Sequence, residues 1–397
     1  MRNILNKIII WGNDNFNTLG LVRQIGKHDV NLIFLVNGRA GIAAKSIYNK
    51  TIVETKCVED GYKYLIQNKN KNVQKPIVIV SSDEIIVYLD KHKKIIEDYY
   101  ILPGTEEQGL TTKYIDKNNI TAFASELGIH CPKSKLIKWN SDISDVSYPC
   151  IIKPAHETPG YYNEFKFKVC KNKKELIKNL RLVRKESEFI VQDFIEKERD
   201  LLIYGCRMRD GETKFAGAFI KDRWDDSGSG SHGIITNVIP RCVSLELIKQ
   251  MLDKINYYGL FSVEYGLVQN KAYFYEVNFR NDGTSHYFFQ AGANLPLAYI
   301  YSCVGLSYKQ ICTLVIDNEI FIDEILDIEN VIHFTISLKK YKEDIKKASI
   351  FKYYDKDDQI PWKEMKKNRV KIIIKDLIMK IMRPYIVYFG TKIGLRK

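Results

Sequence analysis

Residues 261 to 280, FSVEYGLVQNKAYFYEVNFR, decide how the rest of the chain is read. Two runs rich in Phe, Tyr and Val flank the polar Gln269-Asn270-Lys271, which predicts an antiparallel hairpin with its turn at those three residues. A turn centred on Asn270 sets Glu264 directly opposite Glu276, and like charges so paired repel each other. Strand alternation puts Glu276, Asn278 and Arg280 on one face and Tyr275, Val277 and Phe279 on the other. The first face then offers two carboxylates and an amide, which suit a hard divalent cation, and a guanidinium, which forks onto phosphate. The competing reading is a solvated sheet face with alternating charges, and the acid on the partner strand weighs against it.

Composition bounds the rest. A chain of 397 residues exceeds one ordinary core, so two or three domains are expected. A hydrophobic share of 45% with 27% charged residues describes a soluble globular protein. The N-terminal MRNILNKIIIWGND reads as a first strand and not as a signal peptide. No run of about eighteen apolar residues occurs, and the expected location is the cytoplasm. Cys57, Cys131, Cys150, Cys170, Cys206, Cys242, Cys303 and Cys312 are scattered singly, which argues against zinc or a disulfide framework. The seven histidines form no metal-ligand spacing. Residues 331 to 397 hold 18 Lys and Arg against 7 Asp and Glu, so +11 of the net +13 belongs to the tail.

Along the chain, NKIIIWG (6 to 12), the helix-like TLGLVRQIGKH (18 to 28), VNLIFLVNG (30 to 38) and PIVIVSSDE (76 to 84) form a β-loop-α-β opening of the doubly wound kind. No G-x-G-x-x-G follows the first strand, so the dinucleotide fingerprint is absent. A helix is predicted from about Asp116 to Gly128, followed by strands at YPCIIKPA (148 to 155), EFIVQDFIE (188 to 196) and RDLLIYGCRMRDGETKFAGAFIKDRW (199 to 224). The loop from Asp225 to Gly233 is the richest in Gly and Ser, and its backbone N–H groups suit an anion.

The Glu placed before Glu-x-Asn-x-Arg, the Asp116-Lys117 helix running to Gly128-Ile129 and Pro132, and the strand lysine Lys153 together resemble the ATP-grasp family. That group includes biotin carboxylase, carbamoyl phosphate synthetase and D-alanine-D-alanine ligase, and the motif order looks closest to D-aspartate ligase-like and carbamoyl-phosphate-synthase-like members. The resemblance implies a mixed α/β and α+β architecture. Residues 1–115 would be a Rossmann-like pre-ATP-grasp domain, 116–310 the ATP-grasp domain, and 311–397 a basic helical extension. It implies ATP with Mg²⁺ or Mn²⁺ held by Glu264, Glu276 and Asn278, while Arg280, Lys153 and Lys117 meet phosphate oxygens. Gln192 and the backbone of Asp193 and Ile195 would receive adenine, and Lys221 and Arg223 would face an acyl phosphate. Residues 156–169 correspond to the phosphate-covering loop, although Gly160 stands where other members have several glycines.

The implied activity is ligation of a small-molecule carboxylate to an amine through an acyl phosphate, with many such members tied to cell-wall or surface-polysaccharide assembly. The alternatives are a carboxylase-like phosphoryl transfer and a nucleotide-binding protein without turnover. In the tail, KEMKKNRVKIIIKDLIMKIMRPYIVYF (363 to 389) sets Ile373, Ile374, Leu377, Ile378 and Ile381 on one helical face, with Lys367, Lys371 and Lys375 away from it. Such a helix can lie at an anionic membrane surface, or pack on the protein or on a second subunit of a homodimer. No nucleic-acid module is recognisable, so nucleic-acid binding is not expected.

Overall fold

The computed structural model describes residues 4–71, 74–138, 140–155, 167–181, 188–224 and 229–369. Residues 156–166 of the expected phosphate-covering loop, 225–228 of the Gly/Ser loop and 370–397 of the tail lie outside them.

The first 80 residues build the doubly wound unit. Strands β1 (Lys7–Gly12), β2 (Asn31–Asn37), β3 (Thr51–Thr55) and β4 (Ile77–Val80) form a parallel sheet in the order β3-β2-β1-β4. Helices cover both faces of such a sheet, which is why Ile8 to Trp11 of β1 and the whole of β4 are apolar and buried. Asn15 caps the helix Phe16–Gly26 in a reciprocal capping box with Thr18. This helix is buried along nearly its whole length, because the helix Ser285–Gln290 lies against it. A Cβ on Gly20 would come within 2.8 Å of the His286 Cβ.

Strand β5 (Gly104–Thr105) leads away from this unit and pairs with the large sheet described below. A small antiparallel sheet follows: β6 (Ser134–Ile137), β7 (Cys150–Pro154), β8 (Lys168–Cys170) and β9 (Phe189–Asp193), in the order β6-β9-β7-β8. The large sheet contains β10 (Arg199–Arg207), β11 (Thr213–Trp224), β12 (Gly230–Thr236), β13 (Tyr257–Val268), β14 (Lys271–Asn278), β15 (Glu319–Ile322) and β16 (Ile350–Phe351). Their order is β14-β13-β10-β11-β12-β15-β16. Residues beyond 311 therefore supply the last two strands at one end of the large sheet, with β16 at its edge, besides the helices Leu326–Ile332 and Leu338–Lys347.

One face of the large sheet packs Leu201, Ile203, Phe261, Val263, Val277 and Phe279 against the helices Leu245–Lys254 and Lys117–Glu126. On the other face, Leu202, Tyr204, Phe219 and Leu260 pack under the helices Ser285–Gln290 and Leu295–Cys303. Farther along that second face the residues become polar, and the candidate site lies there.

Candidate active site

The hairpin pairs as its alternation predicts at the acids and differently at its tip. Ser262 opposes Asn278, Val263 opposes Val277, and Glu264 opposes Glu276. Near the turn the pairs are Tyr265 with Phe274 and Val268 with Lys271, so the register shifts by one residue after Glu264. The turn is therefore Gln269-Asn270 alone, with Gln269 at φ +52°, and Lys271 belongs to the strand. A β-bulge absorbs the difference, because two residues of β14 must pass one of β13 there. It also corrects one expectation about faces. A Cβ on Gly266 would lie 2.0 Å from the Tyr275 hydroxyl oxygen, and Gly266 shares its face with Glu264. The bulge thus brings Tyr275 onto the acidic face, while Val277 and Phe279 remain in the core.

Cross-strand register collects the other polar groups. Glu264 sits opposite Leu202 on β10, and Asp200, two residues earlier, sits opposite Lys221 on β11. Asp200, Lys221, Glu264 and Glu276 hence share a face. The Glu264 carboxyl is pushed up to about 7, chiefly by burial, with Glu276 adding to the rise and Lys221 opposing it. The Asn278 side-chain amide donates to Ser262 Oγ at 3.1 Å and to Glu264 Oε1 at 3.4 Å. Arg280 Nη2 donates to Asn278 Oδ1 at 3.1 Å.

The small sheet and its preceding helix face this array. Asp116 caps the helix Lys117–Glu126 by accepting from the N–H groups of Asn118 and Asn119. The Lys117 ammonium, at the first position of that helix, lies 2.9 Å from Glu276 Oε2. On β7, Lys153 Nζ donates to Gln192 Oε1 of β9 at 3.1 Å. Burial lowers the pKa of Lys153, Lys117 lowers it further, and Glu276 opposes both. Lys153 thus feels the charges of both Lys117 and Glu276.

Lys117, Lys153, Gln192, Lys221, Glu264, Glu276, Asn278 and Arg280 are thus gathered between two antiparallel sheets. The Asp193 N–H, expected to face a base, instead donates to Lys133 O at 2.9 Å, and the Ile195 carbonyl accepts from the Lys197 N–H at 2.9 Å. Arg223 is not part of the cluster. Its fork binds Asp327 (Nε to Oδ1, 2.8 Å), and Nη1 reaches Asp344 at 2.9 Å. The register irregularity between Lys221 and Arg223 breaks the simple alternation that put both on one face.

Two residues that the sequence reading missed complete the array. Asp200 accepts from Trp224 Nε1 at 2.6 Å and from Lys197 at 2.7 Å, and it lies cross-strand from Lys221. Asp83 follows β4 and binds Arg280 bidentately, both contacts at 2.9 Å. Its position beyond the carboxyl end of a parallel strand, where ligand-facing groups of doubly wound sheets collect, was the available signal.

The donor set fits a hard divalent ion, because backbone register forces two carboxylates together with an amide beside them. Among the described residues no group of three or more His, Cys, Asp and Glu side chains converges on a metal position. Nucleotide phosphate oxygens would complete such a shell.

The same architecture occurs in solved enzymes. N5-carboxyaminoimidazole synthetase from Staphylococcus aureus superposes with a TM-score of 0.66 at 14% identity, covering 84% of this chain and 86% of that one. L-amino acid ligase from Bacillus licheniformis gives 0.59 at 13% identity, covering 79% of each chain. The chain has the ATP-grasp fold. The Staphylococcus aureus enzyme has also been solved with ADP. By sequence, the chain is 24% identical over 225 residues to formate-dependent phosphoribosylglycinamide formyltransferase of Bacillus velezensis, a match to 53% of this chain and 56% of that relative. The enzyme of the same name from Methanococcus maripaludis is 24% identical over 227 residues. The chain spans about half the length of these curated relatives. No family model matches it.

Proposed function

We propose that this protein is an ATP-dependent ligase that joins a small carboxylic acid to an amine through an acyl phosphate. The observation that carries the reading is the meeting of Glu264, Glu276 and Asn278 with Lys117 and Lys153 between the two sheets of an ATP-grasp fold.

Glu264, Glu276 and Asn278 would hold Mg²⁺ or Mn²⁺. When bound, that ion would neutralise and align the terminal phosphates. Lys153 and Lys117 would neutralise oxygens nearer the leaving group, and Arg280 would add to that clamp. Lys221, flanked by Asp200 and Glu264, would draw the acceptor carboxylate to the γ-phosphate. A carboxylate oxygen attacks the γ-phosphorus and the bond to ADP breaks. An amine nitrogen then attacks the acyl carbon, phosphate leaves, and the amine proton passes to solvent. Positioning and charge neutralisation supply the catalysis, so no protein nucleophile is required.

A coupled ADP-release screen of amino acids, uronic acids and nucleotide-sugar acids against an amine panel tests the reading. The sugar acids bear on its finer part, a role in surface-polymer assembly. The expected result is ADP release that needs both acid and amine and falls at least about a hundredfold in Glu276→Gln. Undiminished turnover in that variant overturns the metal assignment. A carboxylase-like reaction is the second reading, favoured by the one-carbon chemistry in the names of the formate-dependent and carboxyaminoimidazole relatives. Release driven by formate or bicarbonate with no amine would select it.

A further inference from the structure

The helix Leu326–Ile332 and the helix Leu338–Lys347 form a hairpin that the proposed chemistry does not use. Phe334 stands at its turn, 92% exposed and at φ +60°. A bulky residue rarely adopts that conformation, and here it also leaves a phenyl ring in water. Leu338, which opens the second helix, is 53% exposed, and Ile328, in the first, is 36% exposed.

The second helix is sharply two-sided. Asp344 is buried against Arg223, and the Tyr341 hydroxyl donates to Glu324 O at 3.3 Å, so these residues mark the inner side. Lys339, Lys342 and Lys346 fall on the opposite side by helical spacing, and all three are exposed. Asp327 and Asp344 hold Arg223 and Glu329 pairs with Arg369, which leaves Glu343 as the exposed acid among the lysines of that side. The Arg369 contact also brings the helical residues 359–369 alongside, with Lys363, Lys366 and Lys367 exposed. The result is a basic surface with one aromatic side chain protruding at its tip.

We propose that this hairpin docks on an anionic lipid surface, with Phe334 entering the headgroup layer and Lys339, Lys342 and Lys346 facing lipid phosphates. The sign of the charge and the single apolar tip match an interfacial contact. Single-stranded nucleic acid would call for a row of rings, and a stable protein partner for a wider apolar patch. This inference does not depend on the ligase reading.

Flotation of the full-length protein tests it, using vesicles of phosphatidylcholine with phosphatidylglycerol and vesicles of phosphatidylcholine alone. The protein should float with the anionic vesicles only, and less as salt rises. Phe334→Ser should lower the partition about tenfold, from loss of one buried apolar side chain. The combined Lys339→Glu, Lys342→Glu and Lys346→Glu variant should lower it about a hundredfold. Wild-type melting temperatures, expected because these side chains are exposed, show that the fold is intact. Failure of the wild type to float with anionic vesicles overturns the proposal. So does flotation unchanged by both variants, which would assign the binding to residues 370–397.

Discussion

Glu264 is a half-buried carboxyl beside a second carboxylate, a setting in which protonation is easier than ionisation. Its pKa is raised from 4.5 to about 7, so in the metal-free protein its contribution to stability is full below about 4.5 and is lost as pH rises through 7. A divalent ion needs the ionised form and would release the proton. Mn²⁺-ADP should therefore bind about tenfold more weakly at pH 6 than at pH 8 by calorimetry, and Glu264→Gln should flatten that dependence. A pH-independent wild type would show that the metal lies elsewhere. Residue types and alternation made the two acids and Asn278 legible. Asp83 was marked only by its place after β4, because its pairing depends on Arg280 nearly two hundred residues away.

At the scale of elements, the bulge in the hairpin shows how a correct pairing can rest on an incomplete turn. Alternation predicted Glu264 opposite Glu276, and the pair forms, but only because one extra residue in β14 compensates for the shorter turn. That residue, Tyr275, changes face as a consequence. The helix Lys117–Glu126 is a second case, legible as Asp116-Lys117 at its start and Gly128 beyond its end. Its cap, Asp116, is adjacent to Lys117, the lysine proposed to meet phosphate, so the cap positions that side chain. Asp116→Ala should lower stability by about 1 kcal/mol in denaturant melts. It should also weaken nucleotide binding more than that loss explains, while Asp116→Asn, which can still cap, should do neither. Equal nucleotide affinity in both variants would make the cap purely structural. Arg223 is placed away from the cluster for a comparable reason, because a local irregularity in β11 turned it toward acids of the C-terminal segment.

The whole molecule is tied together by polar links between distant segments. Arg23, fully buried in the first helix, donates to Asp358 Oδ2 at 3.0 Å, and the same carboxylate accepts from Ser46 Oγ at 2.7 Å and the Ile47 N–H at 3.1 Å. Asp358→Leu alone would strand a buried guanidinium and should cost about 3–5 kcal/mol, whereas Arg23→Met with Asp358→Leu should cost less than either single change. Chemical denaturation of the four proteins checks this, and additive losses would refute it. His286 lies 3.4 Å from Arg23 Nη1, and burial, aided by that charge, pushes its pKa down from 6.5 to about 3. Its contribution to stability is therefore present above about pH 6.5 and lost as pH falls toward 3. By itself the sequence determined what period and chemistry encode locally: the doubly wound opening, the acid-bearing hairpin, the capped lysine helix and the basic C-terminal segment. The tertiary structure alone decided that the segment beyond 311 extends the large sheet, that Asp83 clamps Arg280, and that Arg223 serves the C-terminal segment. Those outcomes depend on contacts between residues far apart in the chain, and neither alternation nor helical spacing carries information across such separations.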